Sequence, residues 1–108
     1  MFIGKYPRER KIMEYEVYFC VPTYPDDSTE VLAAFPRSIA EGDASPGKVL
    51  CFAHDDMHNE ADIEFVLEAR EATREEYENL LAEIKSIYND TEIVVVDLEY
   101  FEGVVSVS

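Results

Sequence analysis

The stretch TREEYENLLAEIKSIYN, residues 73–89, carries the strongest structural signal in the chain. Thr73 is followed three residues later by Glu76, which matches a capping box, the pair of side chains that satisfies backbone N–H groups where a helix begins. Apolar residues then recur at helical spacing and fall on one stripe. This stripe consists of Tyr77, Leu80, Leu81, Ile84, Ile87 and Tyr88. The stretch therefore predicts an amphipathic helix, ending near Asn89, whose apolar stripe covers one face of a sheet.

Four other segments predict the strands of that sheet. Residues 13–21, MEYEVYFCV, alternate between apolar and polar side chains, and a period of two is typical of a half-buried strand. Residues 63–70, IEFVLEAR, alternate in the same way. The apolar run 48–54, KVLCFAH, suits a buried strand. Residues 91–102, TEIVVVDLEYFE, predict the last strand with its even positions buried, and the tail GVVSVS is expected to extend the sheet.

The segment between residues 28 and 40 fits two structures. A helix of about two turns would end at Pro36, and Ala33 and Ala34 favour it because alanine is a poor strand former. The same residues also fit a short strand that leads to a hairpin. The helix gives a ferredoxin-like βαββαβ order, and the strand gives an antiparallel meander followed by the long helix and a last strand. Either way the fold class is α+β, a small antiparallel sheet with the 73–89 helix packed on one face.

Charge is distributed unevenly along the 108 residues, which together carry a net charge of −15. The first twelve residues form a basic leader, interpreted as a flexible segment. Its charged side chains are Lys5, Arg8, Glu9, Arg10 and Lys11. Residues 13–108 are expected to form a single acidic domain, since about 100 residues is a common domain size. Met13 is a second candidate for the first residue of the natural protein.

Composition also bounds the location and the partner. The sequence contains no run of about 18 apolar residues, so no membrane-spanning segment is expected. Two cysteines in apolar runs, Cys20 and Cys51, predict buried thiols and a reducing, cytoplasmic location. An acidic body repels nucleic acid and anionic membranes, because binding to either needs cationic groups. The partner we expect is a basic protein surface, such as that of a nucleic-acid-binding protein.

The alternating strands predict where the carboxylates lie. If the apolar side of each strand faces the helix, six acidic side chains project from the opposite, uncovered face of the sheet. They are Glu14, Glu16, Glu64, Glu68, Asp97 and Glu99. Pairs on one strand would be about 6.6 Å apart. Three tyrosines, expected to be exposed beside this charge, are candidate aromatic anchors for a partner: Tyr18, Tyr24 and Tyr100.

This pattern favours a small, non-enzymatic protein-binding module. A rigid acidic surface can occupy the cationic channel of a nucleic-acid-binding protein, using the attraction that phosphates would otherwise supply. The expected role is that of an inhibitor or modulator that mimics nucleic acid. By analogy, small acidic viral and mobile-element proteins act in this way as anti-defence proteins. The simpler alternative is that the acidic surface serves solubility alone.

A metal site is the main alternative from another class of function. His54, His58 and Asp62 are spaced by four residues, and on a helix they would share one face. The context favours a solvated loop between two strands, and no HExxH motif accompanies the pair. We therefore predict no bound metal or other cofactor, and keep a metal-binding protein or metal-dependent hydrolase as the alternative.

Catalytic and dimeric alternatives have less support. Cys51 lies in a predicted core strand, where a thiol is inert, and no nucleophile elbow or glycine-rich phosphate loop occurs. The sequence therefore predicts no catalytic residue. A third possibility is a structural or ligand-sensing module, in which the GVVSVS segment pairs with a second copy to give a homodimer.

Overall fold

The computed structural model describes residues 13–23, 30–53, 57–89 and 91–107, although the side chains of 13, 57, 58 and 107 are not described. Within these ranges the chain forms a six-stranded sheet and four helices, which confirms the α+β class. In chain order the elements are β1 (Met13–Val21), β2 (Leu32–Ala34), α1 (Arg37–Ala40), β3 (Lys48–Ala53), β4 (Met57–Asp62), α2 (Ile63–Leu67), β5 (Arg70–Glu71), α3 (Arg74–Ile87), β6 (Thr91–Val96) and α4 (Leu98–Val107).

The sheet is a meander extended by a parallel strand. Strands β1 to β4 pair in succession, each antiparallel to the next. On the other edge of β1, β6 runs parallel to it from Met13 to Tyr18, and β5 pairs with it antiparallel at Cys20 and Val21. Because consecutive strands are neighbours, the meander alternative is confirmed and the ferredoxin-like order is wrong. The sheet is mixed rather than purely antiparallel.

The predicted long helix is confirmed as α3. The Thr73 hydroxyl accepts a hydrogen bond from the Glu76 backbone N–H at 3.3 Å, and the Thr73 N–H donates to the Glu76 carboxylate at 2.9 Å. Leu80 and Ile84 of this helix are fully buried against the side of the sheet that carries Val17. Both halves of the capping box are therefore formed, and α3 covers one face of the sheet as expected.

The second face of the sheet is also covered, which contradicts the expectation of a bare face. Val66 of α2 and Phe101 of α4 are fully buried in a second core with Tyr18, Cys20 and Cys51. The rings of Tyr18 and Phe101 stack with their centroids 5.1 Å apart. The described residues thus form three layers: α3, the sheet, and a layer made by α2 and α4.

Both elements of this second layer were expected to be strands. In residues 63–70, Ile63, Val66 and Leu67 also match the i, i+3, i+4 spacing of one helical face. The segment folds as helix α2, and these three side chains pack in the second core. The last predicted strand ends at Val96, and helix α4 begins at Leu98 and includes residues 103–107 of the tail that was expected to extend the sheet. In short segments the periods of two and 3.6 fit the same residues, so alternation alone was insufficient.

The ambiguous segment between residues 28 and 40 contains both a strand and a helix. Ala33 and Ala34 are fully buried in β2, between β1 and β3, so the preference for a helix is wrong at these positions. Pro36 precedes α1 at its N-cap position with φ of −56°, a value already suited to a helix. The proline therefore begins a helix here and does not end one.

No helix in the described part of the chain is long and apolar enough to cross a membrane.

Candidate acidic interface

The carboxylates concentrate on the side of the sheet formed by α2 and α4. We call the following set the acidic layer: Glu14, Glu16, Glu64, Glu68, Glu92, Asp97, Glu99 and Glu102. Glu16 is half-buried and the others are exposed. Glu92 belongs to the set because the register of β6 against β1 places it directly beside Glu14. These two carboxylates therefore project from neighbouring strands toward the same side.

Most of the basic residues lie elsewhere. Residues 13–108 contain five lysines and arginines. Arg74 and Lys85 are on α3, and Arg70 bonds to Glu76 of α3 at 2.9 and 2.6 Å. Lys48 is ion-paired with Asp62 at 2.9 Å. Three of the five bases, Arg70, Arg74 and Lys85, therefore lie around α3, whereas Lys48 lies beside Ile63 of α2 and Val105 of α4, and Arg37 reaches the edge of that layer.

Arg37 of α1 is the basic residue that contacts the acidic layer. Its guanidinium donates to the Glu41 carboxylate at 2.9 Å and to the Glu14 backbone carbonyl at 3.2 Å. Its charge is thus directed to the Glu41 carboxylate and to a backbone oxygen of Glu14.

The six predicted carboxylates do not line a bare sheet face. Glu14 and Glu16 do project from a strand, β1. Glu64 and Glu68 are instead on α2 and at its C-terminal end, and Glu99 is in the first turn of α4. The reason is that two helices, and not solvent, cover Tyr18 and Cys20. The layer outside those helices carries the exposed acids.

Tyr100 is exposed, as expected of an aromatic anchor but contrary to the predicted burial of the even positions of 91–102, and it contacts the acidic layer. Its side chain is 42% exposed, and its hydroxyl donates a hydrogen bond to the Glu16 carboxylate at 2.6 Å. This bond raises the pKa of Tyr100, because loss of the phenol proton would place two negative groups in contact. Tyr100 therefore presents an aromatic ring at the surface beside a carboxylate.

Tyr18 is not available as an anchor, which corrects the prediction. Its side chain is fully buried beneath α4, and its hydroxyl has no hydrogen-bond partner among the described residues. Burial is the main cause that raises the pKa of Tyr18, followed by the charges of Cys20 and Glu71. Tyr24 lies outside the described residues.

Two carboxylates hold the start of α4. Asp97 accepts a hydrogen bond from the Tyr100 backbone N–H at 2.9 Å, and Glu71 accepts one from the Leu98 N–H at 3.2 Å. Asp97 was predicted as a surface charge on a strand, and it is instead the cap of a helix. Glu71, Glu92 and Glu102 were missed from the sequence. A helical interpretation of residues 98–107 would have placed Glu102 beside Glu99.

His58 lies in neither the helix nor the loop considered for it. His58 and Asp62 both belong to strand β4, so their Cα atoms are separated by about 13 Å and not by one helical turn. The Asp62 carboxylate is paired with Lys48. His54 lies outside the described residues. Within the ranges that are described, no group of three or more potential ligands could hold a metal ion.

Both cysteines are buried free thiols. Burial raises the pKa of Cys20 and of Cys51 to about 12, so neither is a thiolate at neutral pH. A nucleophilic role for Cys51 therefore has no support from its environment.

Comparison of the chain with protein-family models, with curated proteins and with solved structures found no match.

Proposed function

We propose that this protein is a small, non-enzymatic binding module that docks its acidic layer on a basic surface of another macromolecule. The proposal rests on the asymmetric distribution of charge. Eight carboxylates lie on the α2 and α4 side of the sheet, seven of them are exposed, and Arg37, which contacts this layer, bonds to the carboxylate of Glu41. A surface made of rigid helices and strand ends presents these charges in a fixed arrangement. Such an arrangement favours a partner of opposite charge.

Repulsion within the layer supports an interaction role. Glu14 and Glu92 occupy paired positions on adjacent strands, which lie about 4.8 Å apart. Like charges directly opposite each other destabilise a sheet. A cationic partner removes this repulsion when it binds. Because the separation is shorter than the Debye length of about 8 Å at physiological salt, these carboxylates act together on an approaching cation.

The partner class that fits this chemistry is a nucleic-acid-binding protein. Its cationic channel is built to accept a row of phosphates, and a rigid row of carboxylates offers the same sign of charge. Tyr100, beside Glu16, supplies an exposed aromatic contact of the kind enriched at interfaces. We propose that docking blocks or modulates nucleic-acid binding in the cytoplasm, as an anti-defence protein acting on a nuclease would do.

The test compares two double charge reversals with the same net charge. E64K/E99K changes the acidic layer, and E75K/E78K changes exposed positions on α3. Glu64 and Glu99 are in the first turns of α2 and α4, whereas only Glu75 of the control pair is in a first turn, so the free energy of unfolding is measured for both variants to account for the extra helix-dipole loss. Circular dichroism first establishes that both variants fold.

Binding is measured by fluorescence anisotropy with a labelled deca-arginine peptide as the probe, over a series of salt concentrations. We expect the layer variant to bind at least about tenfold more weakly than the α3 variant and to show a smaller salt dependence. An equal loss of affinity in the two variants would mean that peptide binding depends only on the net charge of the protein. That result would refute a docking role for the acidic layer.

A further inference from the structure

A small cleft opens where β1 changes its pairing partner. β6 pairs with β1 as far as Tyr18, β5 begins to pair at Cys20, and Phe19 lies between the two. The cavity at this point has a volume of about 180 Å³. We call it the edge cleft, and its lining residues are Phe19, Glu71, Ala72, Tyr77, Val95, Val96 and Asp97.

The lining of the edge cleft combines polar surface with apolar and aromatic side chains. Phe19 and Tyr77 are stacked with ring centroids 4.5 Å apart and nearly parallel planes, and Tyr77 is half-buried. Val95 is 38% exposed. Phe19 is 1% exposed and supports the Tyr77 ring from behind, so an alkyl stem placed here would replace water against Tyr77 and Val95, which is favourable. The tyrosine ring also offers a face or an edge to a flat cation.

Two fixed carboxylates belong to the same lining. One oxygen of Glu71 accepts the Leu98 N–H and one oxygen of Asp97 accepts the Tyr100 N–H, so the backbone of α4 holds both side chains in place. A carboxylate can accept about four hydrogen bonds in total, so both groups retain acceptor capacity. Among the lining residues there is no lysine or arginine. The cleft therefore places oriented negative charge beside apolar and aromatic side chains.

We propose that the edge cleft binds one arginine side chain of the basic partner. This inference rests on the proposed function and names an anchor for it. Arginine fits because its methylene stem packs on apolar surface while its planar guanidinium stacks on aromatic rings and bonds to carboxylates. A dry cavity of about 150 Å³ can hold a benzene molecule, so 180 Å³ is of the right order for this side chain.

The probes for the test are n-propylguanidinium, which reproduces the arginine side chain, and n-propylurea, its neutral counterpart. Each is titrated into the full chain labelled with ¹⁵N, and the backbone amide shifts are followed by NMR. We expect n-propylguanidinium to give saturable shifts at Glu71, Ala72 and Asp97, and n-propylurea to bind at least about tenfold more weakly. Equal binding of the two compounds would refute the proposal, because the cleft would then be only an apolar cavity.

The variant for the test is E71Q/D97N. The amide oxygens can still accept the Leu98 and Tyr100 N–H bonds, so α4 keeps its cap while the cleft loses two charges. The matched control is E75Q/E78Q, which removes two charges from exposed positions on α3. We expect the cleft variant to weaken n-propylguanidinium binding at least about tenfold and the control to leave it within twofold. Unchanged binding in E71Q/D97N, or shifts that never saturate, would refute the assignment.

Failure of this inference can be told apart from failure of the proposed function. In one case, E64K/E99K weakens deca-arginine binding more than E75K/E78K does, while n-propylguanidinium binds no better than n-propylurea. Docking through the acidic layer is then supported, and the assignment of the cleft is wrong. If n-propylguanidinium binds as expected but E64K/E99K and E75K/E78K lose the same affinity for deca-arginine, the arginine site in the cleft is supported. Docking through the acidic layer is then wrong.

Discussion

Replacement of Phe101 by alanine tests whether α4 packs as a helix on the sheet. Phe101 is fully buried, and its ring stacks on that of Tyr18 at 5.1 Å. A buried aromatic side chain removes roughly 150–250 Å² from water, which at about 25 cal/mol per Å² is worth about 4–6 kcal/mol. Alanine keeps part of this, and measured losses for such replacements are about 3–5 kcal/mol. We expect F101A to lower the free energy of unfolding by about 4 kcal/mol.

The neighbouring residue provides the control. Tyr100 is 42% exposed, so Y100A is expected to cost less than about 1 kcal/mol. A strand over residues 91–102 would reverse this order, because its even positions, including Tyr100, would be buried and Phe101 would face solvent. Urea unfolding followed by circular dichroism measures both values. A loss below about 1 kcal/mol in F101A, or a larger loss in Y100A than in F101A, would refute the helical packing of α4.

Three further predictions concern other parts of the molecule. T73A removes the α3 capping box and should lower the free energy of unfolding by about 1 kcal/mol in the same urea assay, whereas no change would argue against the cap. The hydrogen bond from Arg70 lowers the pKa of Glu76 from 4.5 to about 2. The stabilisation from that carboxylate is present above its unfolded pKa of 4.5 and is lost as the pH falls toward 2. The urea midpoints of wild type and E76Q should therefore differ at neutral pH and converge as the pH falls from 4.5 to about 2. Cys20 and Cys51, with pKa values raised to about 12, should react with iodoacetamide at pH 8 only at the rate of unfolding, and fast labelling without denaturant would contradict their burial.

The long helix and the first strand could be predicted because each carries redundant signals. Helix α3 has both a capping box and a stripe repeated over four turns, and β1 alternates over nine residues. Where segments were short, sequence patterns were ambiguous. Ile63, Val66 and Leu67 satisfy the helical period as well as Ile63, Phe65 and Leu67 satisfy the strand period, and only packing against Tyr18 and Cys20 decides between them.

The candidate site was predictable to a similar extent. The alternation of β1 placed Glu14 and Glu16 away from the long helix, and this is where the structure has them. Tyr18 lies on the same face of β1, and it is buried because α2 and α4 cover it. No local sequence pattern encodes the positions of these two helices. Glu92 could not be assigned to this side without knowing the register of β6 against β1, which pairs Glu92 with Glu14.

The parallel pairing of β6 with β1 also constrains the order in which the strands can pair during synthesis. Residue 13 pairs with residue 91, so the ladder joins the two ends of the described chain. During synthesis, the meander can form as soon as β4 has emerged, but most of one edge of β1 stays unpaired until β6 has also left the ribosome. Contacts of such long sequence separation form slowly. An unpaired, apolar strand edge in that interval makes β1 the segment through which incomplete chains are most prone to aggregate.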